Sequence, residues 1–242
     1  MPANPIAEPL RALVIANRIL ASQGVLDAFG HVSIRHPKET SRFFIARSLG
    51  PELVAEADLQ EFTLDNQQVG GSPLPGYSER AIHAAIYAAR PDVQAVCHNH
   101  SPSVIPYGVS SVRLRPIYHM AGLLGTEVPV WDPQPDFGDT DMLVRTLEQG
   151  HSLARTLGGN RVALMRGHGS VVASQSLREV VMCCVYLEHN ARLQREALAL
   201  GETPRYLTDG EIQRTLTWTR DPVIQERAWN TWQVRAGFPL EG

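Results

Sequence analysis

Residues 93–100 have the sequence VQAVCHNH, an apolar stretch that ends in two histidines one residue apart. A helical segment before it stops at Arg90, because Pro91 disfavours helical backbone in the preceding residue. We therefore predict a buried strand over residues 93–98. Side chains at positions i and i+2 of a strand point to the same side, so His98 and His100 could approach one ion. Taken alone, this pattern is equally typical of two surface or hydrogen-bonded histidines.

Helix and strand signals alternate on both sides of this strand. The periodicity and capping residues predict helices over residues 5–24, 78–90, 140–158 and 176–201, and a last one from residue 208 that Pro222 interrupts. Further strands are predicted over residues 31–35, 42–46, 61–64, 127–131, 161–166 and 170–174. Some strands lie too close in sequence for crossover helices. We therefore predict one three-layer α/β/α domain over residues 1–242, with a mixed, largely antiparallel central sheet and residues 202–242 as a C-terminal helical tail.

The composition is that of an ordinary globular protein. Of the 242 residues, 43% are hydrophobic and 19% charged, the net charge is −3, and the 22 Lys and Arg residues are scattered. This excludes a charge pattern for nucleic acid or anionic membranes, and no apolar run reaches the roughly 20 residues of a membrane span. The three cysteines make no disulfide framework, and the N-terminus lacks a signal-peptide pattern. We expect a cytoplasmic protein whose partner is a small molecule.

Two further signals stand apart from the histidine pair. Gly167 and Gly169 flank His168 directly after a predicted strand, where glycine permits a sharp turn and the close approach of a ligand; a tight hairpin that happens to contain histidine is the alternative. Glu79 follows Ser78, the predicted cap of a helix, where the helix dipole favours a carboxylate regardless of function. His83 lies four residues later, and we expect it to orient this carboxylate.

In combination and in this order, these signals resemble the class II aldolase/adducin family. The resemblance includes YSER at residues 77–80, RPDV at residues 90–93 and GHVSIR at residues 30–35, and it covers residues 10–200. That family contains zinc-dependent sugar-phosphate aldolases, an epimerase and several decarboxylases. The resemblance implies that His98, His100 and His168 are metal ligands, and that Glu79 is the acid/base, which can also occupy the open metal position. It also implies a homo-oligomer, commonly a tetramer with sites at subunit interfaces.

The implied ligand set predicts one divalent metal ion per chain. Zn²⁺ is the ion that we favour, and Mn²⁺, Fe²⁺ and Co²⁺ are the alternatives. Three protein ligands leave a position open for substrate, whereas a structural zinc site is closed by four. Aldol cleavage and decarboxylation both leave an electron pair, which a Lewis-acidic metal on the adjacent oxygen accepts. A nearby carboxylic acid then protonates the carbon, provided that burial keeps its proton affinity high.

Two loops favour the decarboxylase branch of the family. The sugar-phosphate aldolases have Gly-Asn where this chain has Gly30-His31, and Thr-Gly where it has Arg47-Ser48. This chain lacks the glycine of the Thr-Gly pair, which lets the backbone approach a phosphate group closely. Arg and Ser side chains instead make forked hydrogen bonds to a carboxylate. We predict that Arg47 and Ser48 bind the substrate carboxylate, with His31 and Ser78 as further contacts. The alternative for Arg47 is a surface residue at a strand end.

The residues that complete the site are left open by the resemblance. Tyr118 and His119 lie where the family places a catalytic tyrosine that reaches across subunits, and Tyr206 is a further candidate. The function predicted is non-oxidative decarboxylation of a hydroxylated aromatic or related enolic carboxylic acid, as in aromatic compound catabolism. A metal-dependent aldolase or epimerase acting on a hydroxy-keto acid or sugar phosphate is the alternative. A non-catalytic module like the adducin head is disfavoured, because all three histidines and Glu79 are present.

Overall fold

A mixed eight-stranded sheet forms the centre of the molecule in the computed structural model, which describes residues 6–240. The strands are β1 (His31–Arg35), β2 (Arg42–Ala46), β3 (Leu59–Thr63), β4 (Gln68–Val69), β5 (Ala95–Asn99), β6 (Val130–Trp131), β7 (Val162–Met165) and β8 (Gly169–Ser174). Their spatial order is β4-β3-β2-β1-β5-β8-β7-β6. The pair β6–β7 is parallel and the other neighbouring pairs are antiparallel. The predicted mixed, largely antiparallel sheet is therefore confirmed.

Helices cover both faces of this sheet. They are α1 (Ala7–Ser22), α2 (Ala81–Ala89), α3 (Ile105–Gly108), α4 (Gln134–Phe137), α5 (Leu147–Leu157), α6 (Leu177–Ala199), α7 (Asp209–Thr219) and α8 (Pro222–Arg235), with 3-10 turns at Pro51–Leu53, Glu56–Asp58 and His119–Leu124. Apolar residues of α1, α6, α7 and α8 form one buried cluster with Cys97 and other strand residues. Residues of α2 and α5 form the second cluster with Val96 and its neighbours on the opposite face. Successive side chains of a strand thus point into the helical layers on opposite faces of the sheet, as the α/β/α prediction requires.

The last two helices pack on one of these layers. α8 contacts α1 and α6, and α7 contacts the His119–Leu124 turn. Thr208 caps α7 through its hydrogen bond from the Glu211 amide, as predicted, and the helical segment is interrupted before Pro222, where α8 begins. The helical tail thus lies against the domain within the described range, and the assignment of residues 1–242 to one domain stays a prediction. None of the helices between residues 6 and 240 is long and apolar enough to cross a membrane.

Two helices begin later than the sequence predicts. α5 begins at Leu147 rather than at residue 140, because Thr146 and Gln149 form a capping box there. α2 begins at Ala81, so Ser78 is not its cap and Glu79 lies in the turn before the helix. Both differences matter for the site, because they leave backbone amides and side chains of two irregular segments free to face it.

Candidate active site

Three histidines and one glutamate converge at one end of the central strands. Ligand atoms of His98, His100, His168 and Glu79 all lie within 4.8 Å of one another. The Nε2 atom of His100 is 3.1 Å from Nε2 of both His98 and His168. Glu79 Oε2 is 3.7 Å from His98 Nε2 and 3.6 Å from His168 Nε2. A tetrahedral zinc ion with bonds of 2.0–2.1 Å separates its ligand atoms by about 3.3 Å, so these spacings suit such an ion.

Strand pairing and glycine bring these residues together. β5 carries His98 and is followed by His100, and its antiparallel partner β8 begins just after His168. Gly167 has φ +64°, which permits the sharp turn before His168. At Gly169 a Cβ atom would lie 2.1 Å from the backbone oxygen of Asn99, so only glycine allows β8 to approach β5 this closely. The Gly-His-Gly signal therefore has a structural cause that also positions the third histidine.

Hydrogen-bond partners fix the tautomers of two histidines. His98 Nδ1 lies 3.1 Å from the carbonyl oxygen of Ser170, and His100 Nδ1 lies 3.0 Å from the carboxylate of Asp27. Both partners only accept, so both Nδ1 atoms carry hydrogen and both Nε2 atoms present lone pairs. Two lone pairs 3.1 Å apart cannot hydrogen-bond to each other, whereas a cation between them satisfies both. The donor set therefore fits a divalent metal ion, and such second partners are typical of metal-binding histidines.

Glu79 is buried, and its surroundings favour the ionised form. Its Oε1 accepts a hydrogen bond of 2.9 Å from the Val144 amide. Burial raises the pKa of this carboxyl, but the neighbouring imidazoles of His168 and His98 and the Val144 amide outweigh it and lower the pKa to about 2. The condition that burial keeps the proton affinity of this carboxyl high is therefore not met in the pocket without substrate. In this state Glu79 suits a metal ligand or a base.

A pocket of about 410 Å³ opens beside these four residues. It is lined by Ala28, Phe29, His31, Ser48, Leu49, Gly50, Tyr77, Ser78, Glu79, His100 and Leu143. The lining includes three of the four predicted substrate contacts, His31, Ser48 and Ser78. The pocket has the size and the mixed apolar and polar walls typical of a small-molecule site.

Arg47, the fourth predicted contact, lies elsewhere in the structure. Its Nε donates to Asp58 Oδ1 over 2.7 Å, and its side chain lines a different cavity of about 300 Å³. Neighbouring residues of an extended chain point to opposite sides, which is why Ser48 faces the pocket and Arg47 does not. Its role as a carboxylate ligand stays a prediction.

Tyr118, His119 and Tyr206 are not among the residues that line the pocket or form the cluster. Tyr118 packs against Tyr186, and His119 lies with its ring 6.0 Å from that of Trp218. The Tyr206 hydroxyl lies 3.4 Å from Gln194 Nε2. Their predicted catalytic roles therefore stay predictions that depend on the neighbouring subunit implied by the resemblance.

Two residues near the site have partners that the sequence did not indicate. Asp27 accepts hydrogen bonds from the amides of Phe29 and Gly30 as well as from His100, and no motif marked it. His83 does not hydrogen-bond to Glu79, and its two nitrogens lie 2.7 Å from His31 Nδ1 and 2.6 Å from Ser33 Oγ. Because Glu79 precedes α2, the i,i+4 neighbour rule does not apply to it, which explains the wrong expectation for His83.

Comparison with known proteins defines the class. The model of the Class II Aldolase and Adducin N-terminal domain matches residues 11–195. Decarboxylase tropJ from Talaromyces stipitatus is 35% identical, with 94% of each chain covered. The 3,4-dihydroxyphthalate decarboxylase of Arthrobacter keyseri is 27% identical over 83% of each chain. An aldolase II superfamily protein from Pseudomonas syringae shares the fold, with a TM-score of 0.80, 22% identity and coverage of 97% of this chain and 94% of that one.

The protein is thus a carbon–carbon lyase of the α/β class, of the decarboxylase or aldolase type. The chain belongs to the class II aldolase and adducin family. Within that family it resembles the decarboxylase branch.

Proposed function

We propose that this protein is a metal-dependent, non-oxidative decarboxylase of a hydroxylated aromatic or related enolic carboxylic acid. The observation that carries the proposal is the convergence of three imidazole Nε2 atoms and the Glu79 carboxylate at the wall of a pocket for a small molecule. The two relatives named above are decarboxylases, and the name of one specifies a dihydroxylated aromatic dicarboxylate. Zn²⁺ is the ion that this ligand set fits best, at one per chain.

The metal, when bound, supplies a Lewis acid that stabilises negative charge on the substrate oxygen next to the carbon that loses CO₂. In this proposal Glu79 exchanges a proton with that carbon. As a carboxylate, it accepts the proton of the substrate hydroxyl when the substrate enters, and it then returns this proton to the ring carbon that bears the departing carboxyl group. The new C–H bond interrupts the aromatic system. Cleavage of the C–C bond releases CO₂, and its electron pair restores aromaticity.

Other pocket residues orient the substrate for this exchange. Ser48 and Ser78 offer hydroxyl groups on the pocket wall, and His31 lies between the rings of Tyr77 and His98, with centroid distances of 4.5 Å and 5.2 Å. Phe29, which is 73% exposed, provides an aromatic surface at the rim on which a planar ring can stack. These groups suit a flat molecule that carries carboxylate and hydroxyl substituents.

The assembly and the source of a tyrosine belong to the same proposal. We propose a homo-oligomer, a tetramer by family resemblance, in which Tyr118 or His119 approaches the pocket of a neighbouring subunit. The support is that neither residue lines the pocket of its own chain.

The proposal is tested by measuring CO₂ release from a panel of ortho-hydroxylated aromatic and heteroaromatic carboxylates by the zinc-loaded protein. Release that a chelator abolishes and added Zn²⁺ restores supports the decarboxylase. Cleavage of a hydroxy-keto compound into two carbonyl products, with no CO₂ from any carboxylate, assigns the protein to the aldolases instead.

A further inference from the structure

A chain of four buried polar side chains leads from the pocket into the protein. His31 Nδ1 is 2.7 Å from His83 Nε2, His83 Nδ1 is 2.6 Å from Ser33 Oγ, and Ser33 Oγ is 2.8 Å from the Tyr87 hydroxyl. Each of the four is at most 1% exposed. His31 and Ser33 lie on one side of β1, and His83 and Tyr87 lie on one face of α2. The helix and the strand therefore present two polar residues each to one another, and only His31 also lines the pocket.

The donor and the acceptor of each hydrogen bond along these four side chains can be assigned, starting from Tyr87 at the buried end. Among the described residues, Ser33 Oγ is the acceptor within hydrogen-bond distance of the Tyr87 hydroxyl, so Tyr87 donates to Ser33. The opposite order would leave the phenolic hydrogen buried without an acceptor. Ser33 then donates its own hydrogen to His83 Nδ1. Burial lowers the pKa of His83 to about 3, so this ring is neutral and carries its hydrogen on Nε2. His83 consequently donates to His31 Nδ1.

We infer that Tyr87, Ser33 and His83 are positioning residues that hold His31 as the Nε2–H tautomer, so that His31 donates a hydrogen bond to a carboxylate of the substrate. The part that concerns substrate rests on the proposed function. His98 and His100 carry their hydrogen on Nδ1, so the site contains both tautomers. Because its Nε2 carries hydrogen, His31 does not compete for the metal ion. It instead offers a neutral hydrogen-bond donor to a carboxylate, which can only accept.

The tautomer is tested by ¹⁵N NMR of the zinc-loaded, substrate-free protein with labelled histidine, the His31 signals being assigned by their loss in His31→Gln. We expect a protonated Nε2 and an unprotonated Nδ1 at His31. In Ser33→Ala the chain is interrupted, so both His31 tautomers should be populated, and Tyr87→Phe should show a smaller change in the same direction. Tyr107→Phe is the matched control, because its buried hydroxyl donates to the Ala191 carbonyl in the other layer. A His31 that carries hydrogen on Nδ1 in the wild type overturns the inference, as does an unchanged tautomer in both variants.

Kinetics separates positioning from a merely structural role. In Ser33→Ala we expect KM for a carboxylate substrate to rise about two- to threefold, because only the molecules that keep the Nε2–H tautomer of His31 still donate this hydrogen bond. The bound zinc should not change. Loss of zinc in this variant, with unchanged KM, would show that the chain supports the metal cluster instead. The NMR measurement needs no substrate, so a panel that releases no CO₂ refutes the proposed function and leaves the tautomer result standing.

Discussion

Asp27→Asn tests whether the second partner of a histidine tunes metal binding. The Asp27 carboxylate lies 3.0 and 3.1 Å from His100 Nδ1 and accepts the Phe29 and Gly30 amides through Oδ1. Although partial burial opposes it, these amides and His100 lower the pKa of Asp27, so it only accepts. Asparagine keeps the shape and Oδ1, but its NH₂ group would face the N–H of His100. The Nδ1–H of His100 then loses the charged acceptor and keeps only Oδ1 at 3.1 Å, which weakens the tautomer that presents Nε2 to a metal ion.

The size of the effect follows from one charge-assisted hydrogen bond. Hydrogen bonds to charged groups contribute about 1.5–3 kcal/mol of free energy. Because the Asp27 side chain is 47% exposed, we expect its bond to His100 to lie at the lower end of this range. We therefore expect the Kd for Zn²⁺ to rise about tenfold or somewhat more, within the range typical of such second partners.

The assay is a competition titration of Zn²⁺ between the protein and a chromophoric chelator at fixed pH. Asp92→Asn is the matched control, because this carboxylate is bonded to Arg90 rather than to a histidine. An unchanged Kd in Asp27→Asn, with a folded protein, would refute the assignment of the His100 tautomer and of the metal site built on it.

Three further substitutions test the site and its scaffold. His98→Ala should remove most bound zinc and most turnover, because one of three imidazole ligands is lost; metal analysis that shows a full equivalent of zinc would contradict this. Glu79→Gln should keep zinc but release CO₂ at least about a hundredfold more slowly, because general acid–base catalysis contributes a rate factor of that size. Near-normal release in this variant would show that Glu79 takes no part in the reaction. Gly169→Ala should lower Tm by roughly 2–12 °C in scanning calorimetry, because its Cβ would meet the Asn99 oxygen at 2.1 Å. Gly159→Ala, with open space around it, should leave Tm nearly unchanged.

The convergence of His98, His100, His168 and Glu79 was predictable mainly from the family resemblance, and local geometry agrees with it. His98 and His100 occupy alternate positions of an extended chain, and the glycines around His168 indicate a tight turn whatever the rest of the fold. The sheet type was predictable for a similar reason, since short connections between strands favour antiparallel pairs.

The partners of these four residues depend on contacts that no local pattern encodes. His31 faces His98 only because β1 pairs with β5, a register that joins residues far apart in the sequence. Glu79 is held by the Val144 amide, which belongs to an irregular segment where a helix was predicted and where Met142 has φ +68°. Arg47 likewise found a partner in Asp58 rather than facing the pocket. Tertiary contacts decided each of these cases.

The most direct test of metal-dependent decarboxylation is CO₂ release measured against bound zinc. Metal-free protein is titrated with Zn²⁺, and both release from the best substrate of the panel and zinc content per chain are determined at each step. The proposed function predicts release that rises in proportion to bound zinc, reaches its plateau at one ion per chain and is absent in His98→Ala at every step. Release by the metal-free protein, or a plateau that does not follow the bound metal, would contradict the proposed role of the three histidines.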